Sequence, residues 1–389
     1  MPQHLTNQQL LPGWKLLPGG MYYKHQLPSP IMYFSIEPKT SKEDLFNFDE
    51  PYAALKKCIG LNEERLVVVF GLRRTGKTSL MKVVYNELDM PKIYIDAREI
   101  FPLTPLSTNQ YLVSIFIEFA RKYDIIKAIL EHVSAVEFVL RAEGKEREAI
   151  LSSILKNINA EMQKRKTHLV IFIDEAQLLK PTGADRLLAY IYDNLKHIQI
   201  VVAGSEIGIL EEFAGQNKNA SLFGRAKKQI TLNRLRPEQS FLFLKKGFAQ
   251  AKKQISEKEL MAAITEIDGI VGWLSMYGWH YLKIGSKKAL ETIVKDGSKI
   301  IADELEAFLS YRGEARRRYL IMLRTLSIRE MRWNELKRTL ELEEKKKIND
   351  SHISNYIEAL VNYGFIEKEG INYKLADPLL KRGLDFVKI

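Results

Sequence analysis

One stretch decides the fold of this chain: Leu66-Val-Val-Val-Phe-Gly-Leu-Arg-Arg-Thr-Gly-Lys-Thr-Ser79. It opens as an apolar run rich in β-branched residues, which predicts a strand buried on both faces. Residues 71–78 then fit the pattern G-x-x-x-x-G-K-S/T at every fixed position, and a helical segment follows. A strand, such a loop and a helix in succession are typical of a phosphate-binding loop.

The residue types of this loop suit a triphosphate with Mg²⁺. Gly71 and Gly76 allow the backbone to wind round an anion with its N–H groups inward. Lys77 supplies a cation for the β- and γ-phosphates, and the Thr78 hydroxyl is a hard oxygen ligand for Mg²⁺. The residues expected to hold the nucleotide are Gly71, Leu72, Arg73, Arg74, Thr75, Gly76, Lys77, Thr78 and Ser79. For the two arginines, ion pairs with nearby acids are the alternative to phosphate contact.

A second apolar run ends in two carboxylates: Leu169-Val-Ile-Phe-Ile-Asp-Glu175. Acidic strand ends are common, but this one follows a phosphate loop along the chain. Asp174 is therefore expected to bind nucleotide-associated Mg²⁺ through its water shell. Glu175 is expected to accept a proton from the attacking water.

Further runs with strand character, at 92–96, 198–203 and 228–232, alternate with helical segments such as 108–166. This order predicts an α/β fold with a parallel sheet over about 32–235.

After residue 235 the strand signals stop. Pro237 and the capping box Ser256-Glu-Lys-Glu259 each open a helix, which predicts a helical lid over 236–311. Three helical segments and a hairpin around Glu369-Gly370 then predict a winged helix over 312–389.

The 389 residues include one cysteine, Cys58, and carry 59 Lys and Arg against 48 Asp and Glu. One cysteine excludes an internal disulfide framework, and we expect a buried structural thiol. No apolar run is long enough to cross a membrane and no signal peptide is evident, so we expect a cytoplasmic protein without membrane contact. Residues 1–31, rich in Pro, Gly and Gln, predict a poorly ordered extension. Met21 and Met32 offer later starts, so its place in the native product stays open.

Six segments follow one another in the order of a known family: 37–46, 71–79, Ile173-Asp-Glu-Ala-Gln177, 189–195, Gly204-Ser-Glu206 and Ser221-Leu-Phe-Gly-Arg-Ala226. Together they resemble the archaeal ATPase family of the AAA+/STAND P-loop ATPases, over about 32–389. The resemblance implies a P-loop NTPase with strand order 5-1-4-3-2, and with ATP or ADP and Mg²⁺ between core and lid. It also implies an ATP-hydrolysing switch that acts on the winged helix.

The resemblance carries two further roles. Ser205 is similar to the first-sensor residue, whose hydroxyl orients the attacking water; a serine that merely ends a strand is the alternative. Arg225 resembles the family's arginine near the nucleotide, which would stabilise charge in the transition state. Whether Arg225 acts in cis, in trans or only in a salt bridge stays open. With Glu175 and Lys77, these residues complete the expected catalytic set.

Two positions depart from the family's pattern. Phe48 stands where an arginine near the adenine is usual, and Val271 replaces a proline of the lid. Base contacts and lid closure are therefore expected to differ. The choice of ATP over GTP follows from the resemblance alone.

The partner of the winged helix stays open between DNA and a protein. Residues 312–389 hold 17 Lys and Arg against 12 Asp and Glu, which is compatible with DNA phosphates. The helix that would read bases has no outward arginine or lysine; its outward residues are predicted to be His352, Ser354, Asn355, Glu358 and Asn362. The rivals to an ATPase switch are an ATP-bound DNA-binding regulator or initiator-like protein with incidental hydrolysis, and a scaffold without turnover. The oligomeric state stays open.

Overall fold

The computed structural model describes residues 14–16, 22–24, 32–62, 64–125, 145–215 and 220–388. In the N-terminal extension, two short strands, β1 (Trp14–Leu16) and β2 (Tyr22–Lys24), pair antiparallel. The rest of the extension lies outside the described residues, so its poor order stays a prediction. Within the described ranges, no helix combines the length and apolar character needed to span a bilayer.

Five parallel strands form the central sheet: β3 (Leu66–Gly71), β4 (Lys92–Asp96), β5 (Leu169–Asp174), β6 (Ile198–Ala203) and β7 (Lys228–Leu232). Their order across the sheet is β4-β5-β6-β3-β7. Counted from the first strand of this sheet, the order is 2-3-4-1-5, which confirms the expected order read from the opposite edge. Every residue of β3, β5 and β6 is buried, which explains their uninterrupted apolar sequences.

Helices cover both faces of the sheet. One face packs against α1 (Asp49–Leu61) and α2 (Lys77–Glu87). The other face packs against α3 (Pro105–Lys122), α4 (Lys145–Lys164), α5 (Ala184–Asn194) and α6 (Ile207–Phe213). Because the strands are parallel, the carboxyl ends of β3, β5 and β6 meet at one edge, where ligands bind in sheets of this kind.

Four helices follow the sheet, and we call them the lid: α7 (Pro237–Gln250), α8 (Glu257–Ile267), α9 (Val271–Ile284) and α10 (Ser286–Ser310). As the sequence predicted, α7 has its proline in the first turn, and reciprocal bonds between Ser256 and Glu259 open α8. The lid packs round buried aromatic side chains, among them Trp273 and Tyr277.

The C-terminal region is a winged helix: α11 (Ala315–Leu326), β8 (Met331–Arg332), α12 (Trp333–Glu344), α13 (Asp350–Asn362), β9 (Ile366–Glu369), β10 (Asn372–Leu375) and α14 (Leu380–Gly383). Its antiparallel sheet has the order β8-β10-β9. The lid and the winged helix share one continuous apolar core. The long helix α10 therefore joins them as a packed unit.

One residue of α13 does not lie where the sequence predicted. Asn362 was expected to face outward, but it packs against α6 of the ATPase core. A Cβ added to Gly208 would come within 1.9 Å of the Asn362 Oδ1 atom. Helical period identifies the inward face of a helix, but it carries no information about a second domain packed on the opposite side.

Candidate nucleotide-binding site

The phosphate loop joins β3 to α2. Gly76 has a φ of +95°, and a Cβ there would come within 2.7 Å of the Phe48 ring, so only glycine fits. The buried Lys77 ammonium turns back and donates to the carbonyl oxygens of Gly71, at 2.8 Å, and Leu72, at 2.7 Å. Burial lowers the pKa of Lys77 to about 8, although two nearby carboxylates oppose this change. A phosphate anion could take over the ammonium from these two carbonyl groups.

Asp174 ends β5 and is fully buried. Its Oδ2 atom accepts the Thr78 hydroxyl at 2.7 Å and the Tyr94 hydroxyl at 3.2 Å. Burial raises the pKa of Asp174, and the hydrogen bond from Thr78 opposes that rise. A carboxylate and a hydroxyl in contact are hard oxygen groups of the kind that bind Mg²⁺, which also keeps several water ligands. The two residues therefore fit this ion.

Glu175 follows in a left-handed conformation, with a φ of +51°. Its Oε2 atom accepts the Ser205 hydroxyl at 2.9 Å, the Ser205 backbone N–H at 3.3 Å and the Gln177 amide at 2.6 Å. The structure thus brings together the two residues expected near the attacking water. In this arrangement, Ser205 holds the Glu175 carboxylate.

Sequence reasoning missed Gln177, although the residue is part of the quoted acidic motif. Its side chain is buried, and a Cβ on Gly204 would come within 1.9 Å of its Oε1 atom. The absence of a side chain at Gly204 therefore makes room for the Gln177 amide to reach Glu175. Two features of the sequence could have indicated this contact. Gln177 lies two residues after Glu175, and the pair Gly204-Ser205 directly follows the neighbouring strand β6.

Arg73 and Arg74 form ion pairs in this structure. Both guanidinium groups bond to Glu304 of α10, each at 2.6 Å, and Arg73 also reaches Glu206 at 3.1 Å. These contacts match the alternative of pairing with nearby acids. They also tie the phosphate loop directly to the helix that leads into the winged helix.

A second connection from the loop runs through the lid. The Arg74 guanidinium lies 4.2 Å from the centre of a Trp273 ring, and the Arg74 carbonyl accepts the Gly272 N–H at 2.9 Å. The Trp273 indole N–H donates to Asp377, beyond β10, at 2.9 Å. The phosphate loop, lid and winged helix are therefore in direct contact.

The structure does not bring Arg225 to this site. Its guanidinium forms two hydrogen bonds with Asp193 at the end of α5 and a third with the Ser221 carbonyl. A salt bridge was one of the three alternatives, and it is the one present. A role in cis or in trans stays a prediction.

Arg98, which sequence reasoning also missed, lies beside the acidic strand end. Its guanidinium forms two hydrogen bonds with Asp96, at 2.8 and 2.6 Å, and lies 3.7 Å from Asp174 Oδ2. The signal was an arginine two residues after the acid that ends β4.

The phosphate loop, Glu175, Ser205 and Arg98 line a cavity of about 480 Å³ between the core and the lid. This volume is typical of a small-ligand site. The cavity has an apolar part lined by Ile36, Phe46, Phe48, Phe243, Val271 and Met276. Both positions that depart from the family thus lie at the cavity. A larger cleft of about 900 Å³ lies apart from these motifs, between α8, α10 and the C-terminal turn.

Comparison with known families gives two matches. Residues 49–277 match an ATPase domain predominantly from Archaea, and residues 313–376 match the C-terminal winged helix-turn-helix domain of MCM proteins. Comparison with curated proteins gives no match.

Two solved structures illustrate the likeness. The Walker-type ATPase PABY2304 of Pyrococcus abyssi has 28% identity and a TM-score of 0.74, over 91% of this chain and 99% of that one. The ORC2 protein of Aeropyrum pernix, in ADPNP–ADP complexes, has 15% identity and a TM-score of 0.57, over 91% and 96%. This second likeness shows the fold alone. Because the first family match spans more than half of the chain, the protein belongs to the family of ATPase domains found predominantly in Archaea.

Proposed function

We propose that the protein binds ATP with Mg²⁺ and hydrolyses it, and that the bound nucleotide controls the winged helix. Membership of the family supports an NTPase. The arrangement of the residues supports the chemistry, since Lys77, Thr78 and Glu175 line one cavity and Asp174 bonds to Thr78. The apolar part of that cavity would receive the base.

Each residue has a chemical task in this proposal. Lys77 would exchange two backbone carbonyls for the β- and γ-phosphate oxygens. Bound at Thr78 and Asp174, Mg²⁺ would neutralise charge on the same phosphates. Glu175 would accept the proton of the attacking water. The donors of Ser205 and Gln177 would hold the Glu175 carboxylate in position.

One observation carries the proposed coupling. The winged helix lies directly against Ser205, the residue whose hydroxyl donates to Glu175. A Cβ on Gly364, two residues after α13, would lie 3.6 Å from the Ser205 carbonyl. The winged helix also approaches the phosphate loop, because the Arg73 guanidinium lies 6.0 Å from the centre of the Phe365 ring. A nucleotide that moves Ser205 or Arg73 would therefore change the surface on which the winged helix rests. Such a switch requires that ATP and ADP bind its two arrangements with different affinity.

The test compares wild type with Lys77→Ala and Glu175→Gln. We expect wild type to retain ATP and release phosphate, Lys77→Ala to lose the nucleotide, and Glu175→Gln to bind ATP without turnover. Nucleotide retention and phosphate release would be measured on the same preparations. Failure of wild type to retain nucleotide, or phosphate release no faster than that of Lys77→Ala, would contradict the proposal.

A second candidate function is ATP-dependent DNA binding with incidental hydrolysis. The first half of α13 supports it, because His352, Ser354 and Asn355 are exposed while the end of the helix is docked on the core. Much of the basic charge is already paired with acids, as in the contact of Arg316 with Glu306 of the lid and that of Arg318 with Glu344. We expect the exposed side chains of Arg338, Lys345 and Lys346 to contact the DNA phosphates instead.

DNA binding measured at two salt concentrations would separate the candidates. Binding that needs ATP, weakens with salt and is unchanged by Glu175→Gln would favour the DNA-binding regulator. Binding that changes only as ATP is hydrolysed would favour the switch. An absence of DNA binding in every nucleotide state would direct the search to a protein partner.

A further inference from the structure

The turn after β4 places an arginine beside the acidic carboxyl end of β5. The two strands pair in register, with Asp96 opposite Asp174. Asp96 also caps the following turn, because its side chain accepts the backbone N–H of Arg98 at 3.1 Å. The strand register and this cap together fix the backbone of Arg98 next to the acidic strand end.

The Arg98 guanidinium lies close to the residues that are expected to surround the terminal phosphate. Its Nη2 atom is 3.7 Å from Asp174 Oδ2, the oxygen that accepts the Thr78 hydroxyl. It lines the same cavity as Lys77 and Glu175. The side chain is 55% exposed, so the guanidinium can turn towards a ligand without disturbing the core.

Arg98 differs from the other candidate arginines by its position beside Asp174. Arg73 and Arg74 line the same cavity but pair with Glu304 of α10. Arg225 pairs with Asp193 and does not line the cavity. Resting on the proposed ATPase function, we propose that Arg98 is a catalytic arginine that acts in cis. When ATP binds, its guanidinium leaves Asp96 and contacts the terminal phosphate, where negative charge develops in the transition state.

This assignment predicts a loss of preference for ATP over ADP. In Arg98→Ala, we expect the ratio of ATP to ADP affinity, titrated with Mg²⁺ by calorimetry, to fall about tenfold, because one charge-assisted bond to the terminal phosphate is gone. Arg98→Lys retains a positive charge and should keep part of the preference. Phosphate release by Arg98→Ala should fall at least about 100-fold. Arg121→Ala removes an exposed arginine at the end of α3 and is the matched control.

The outcomes are distinguishable. A wild-type protein that binds ATP, together with an unchanged affinity ratio in Arg98→Ala, would overturn the role of Arg98 and leave the proposed function intact. A ratio that falls in Arg225→Ala but not in Arg98→Ala would assign the contact to Arg225 and also overturn the proposal. A wild-type protein that binds neither nucleotide would end the proposed function itself. If Arg98→Ala does not fold, the ratio of ATP to ADP affinity in Arg98→Lys decides, and a ratio equal to that of wild type would overturn the proposal.

Discussion

Gly204 and Gln177 show how the site depends on a single missing side chain. The Gln177 amide occupies the space that a Cβ on Gly204 would need, and from there it donates to Glu175. The geometry of the proposed general base is therefore set partly by a glycine that directly follows the neighbouring strand β6.

Replacing Gly204 with alanine should impair both stability and turnover. The new Cβ would displace the Gln177 amide, so Glu175 would lose one of its donors. We expect the free energy of unfolding to fall by about 1–3 kcal/mol and phosphate release to fall about tenfold. Thermal unfolding and a phosphate-release assay measure the two effects.

Gly60→Ala provides the control. Gly60 is an exposed residue of α1, and a Cβ there meets nothing within 4 Å. This substitution should raise stability by about 0.5–1 kcal/mol, as expected for glycine to alanine in a helix. Turnover by Gly204→Ala equal to that of wild type would show that Gln177 does not position Glu175.

At the scale of secondary-structure elements, the junction of β5 with α1 contains a buried histidine. The His168 Nε2 atom lies 3.1 Å from the Ile59 carbonyl oxygen, and burial lowers the pKa of His168. A histidine whose pKa is lower in the folded state stabilises the fold at neutral pH. This contribution is lost as the pH falls below the unfolded value of about 6.5, because the unfolded chain then binds the proton more readily.

His168→Gln should therefore flatten the pH dependence of stability. Wild type is expected to lose more stability than the variant between about pH 7 and pH 5, since glutamine can donate to Ile59 but does not titrate in this range. Melting temperatures at several pH values measure the difference. His352→Gln makes the same substitution at an exposed position of α13 and is the control. Parallel profiles for wild type and His168→Gln would refute this account.

Sequence patterns predicted the elements well where local chemistry decides them. The three inner strands β3, β5 and β6 are nearly uninterrupted apolar runs. The openings of α7 and α8 are set by Pro237 and by the Ser256–Glu259 pair. The phosphate loop and acidic strand end were also predictable, because each is a short motif whose residue types and spacing lie within one stretch of sequence. Arg98 and Gln177 were not, because strand register and neighbouring side chains determine their partners. The packing of Asn362 on α6 likewise depends on contact between domains.

For the whole molecule, Glu304 is a point of connection between nucleotide site and winged helix. It lies on α10, which packs with both lid and winged helix, and it neutralises both phosphate-loop arginines. A triphosphate would compete with this carboxylate for Arg73 and Arg74. Nucleotide binding and the position of α10 are therefore expected to influence each other.

Glu304→Gln should strengthen ATP binding. The substitution removes a charge that competes with phosphate, and it leaves two close guanidinium groups to repel each other until an anion arrives. We expect about a fivefold gain in ATP affinity, measured by calorimetry. Asp303→Asn is the control because it makes the same change of charge at the exposed neighbouring residue. Equal affinities for the two variants would indicate that Glu304 does not compete with ATP.

Trp273 gives the molecule a built-in optical reporter. Its indole is fully buried, lies beside the Arg74 cation and donates to Asp377 of the winged helix. If phosphate draws Arg74 away, the electric field at the ring changes, and with it the emission of the fluorophore. Ligand arrival and the accompanying rearrangement could then be followed in real time on unlabelled protein, with Trp273→Phe identifying the signal among the chain's four tryptophans.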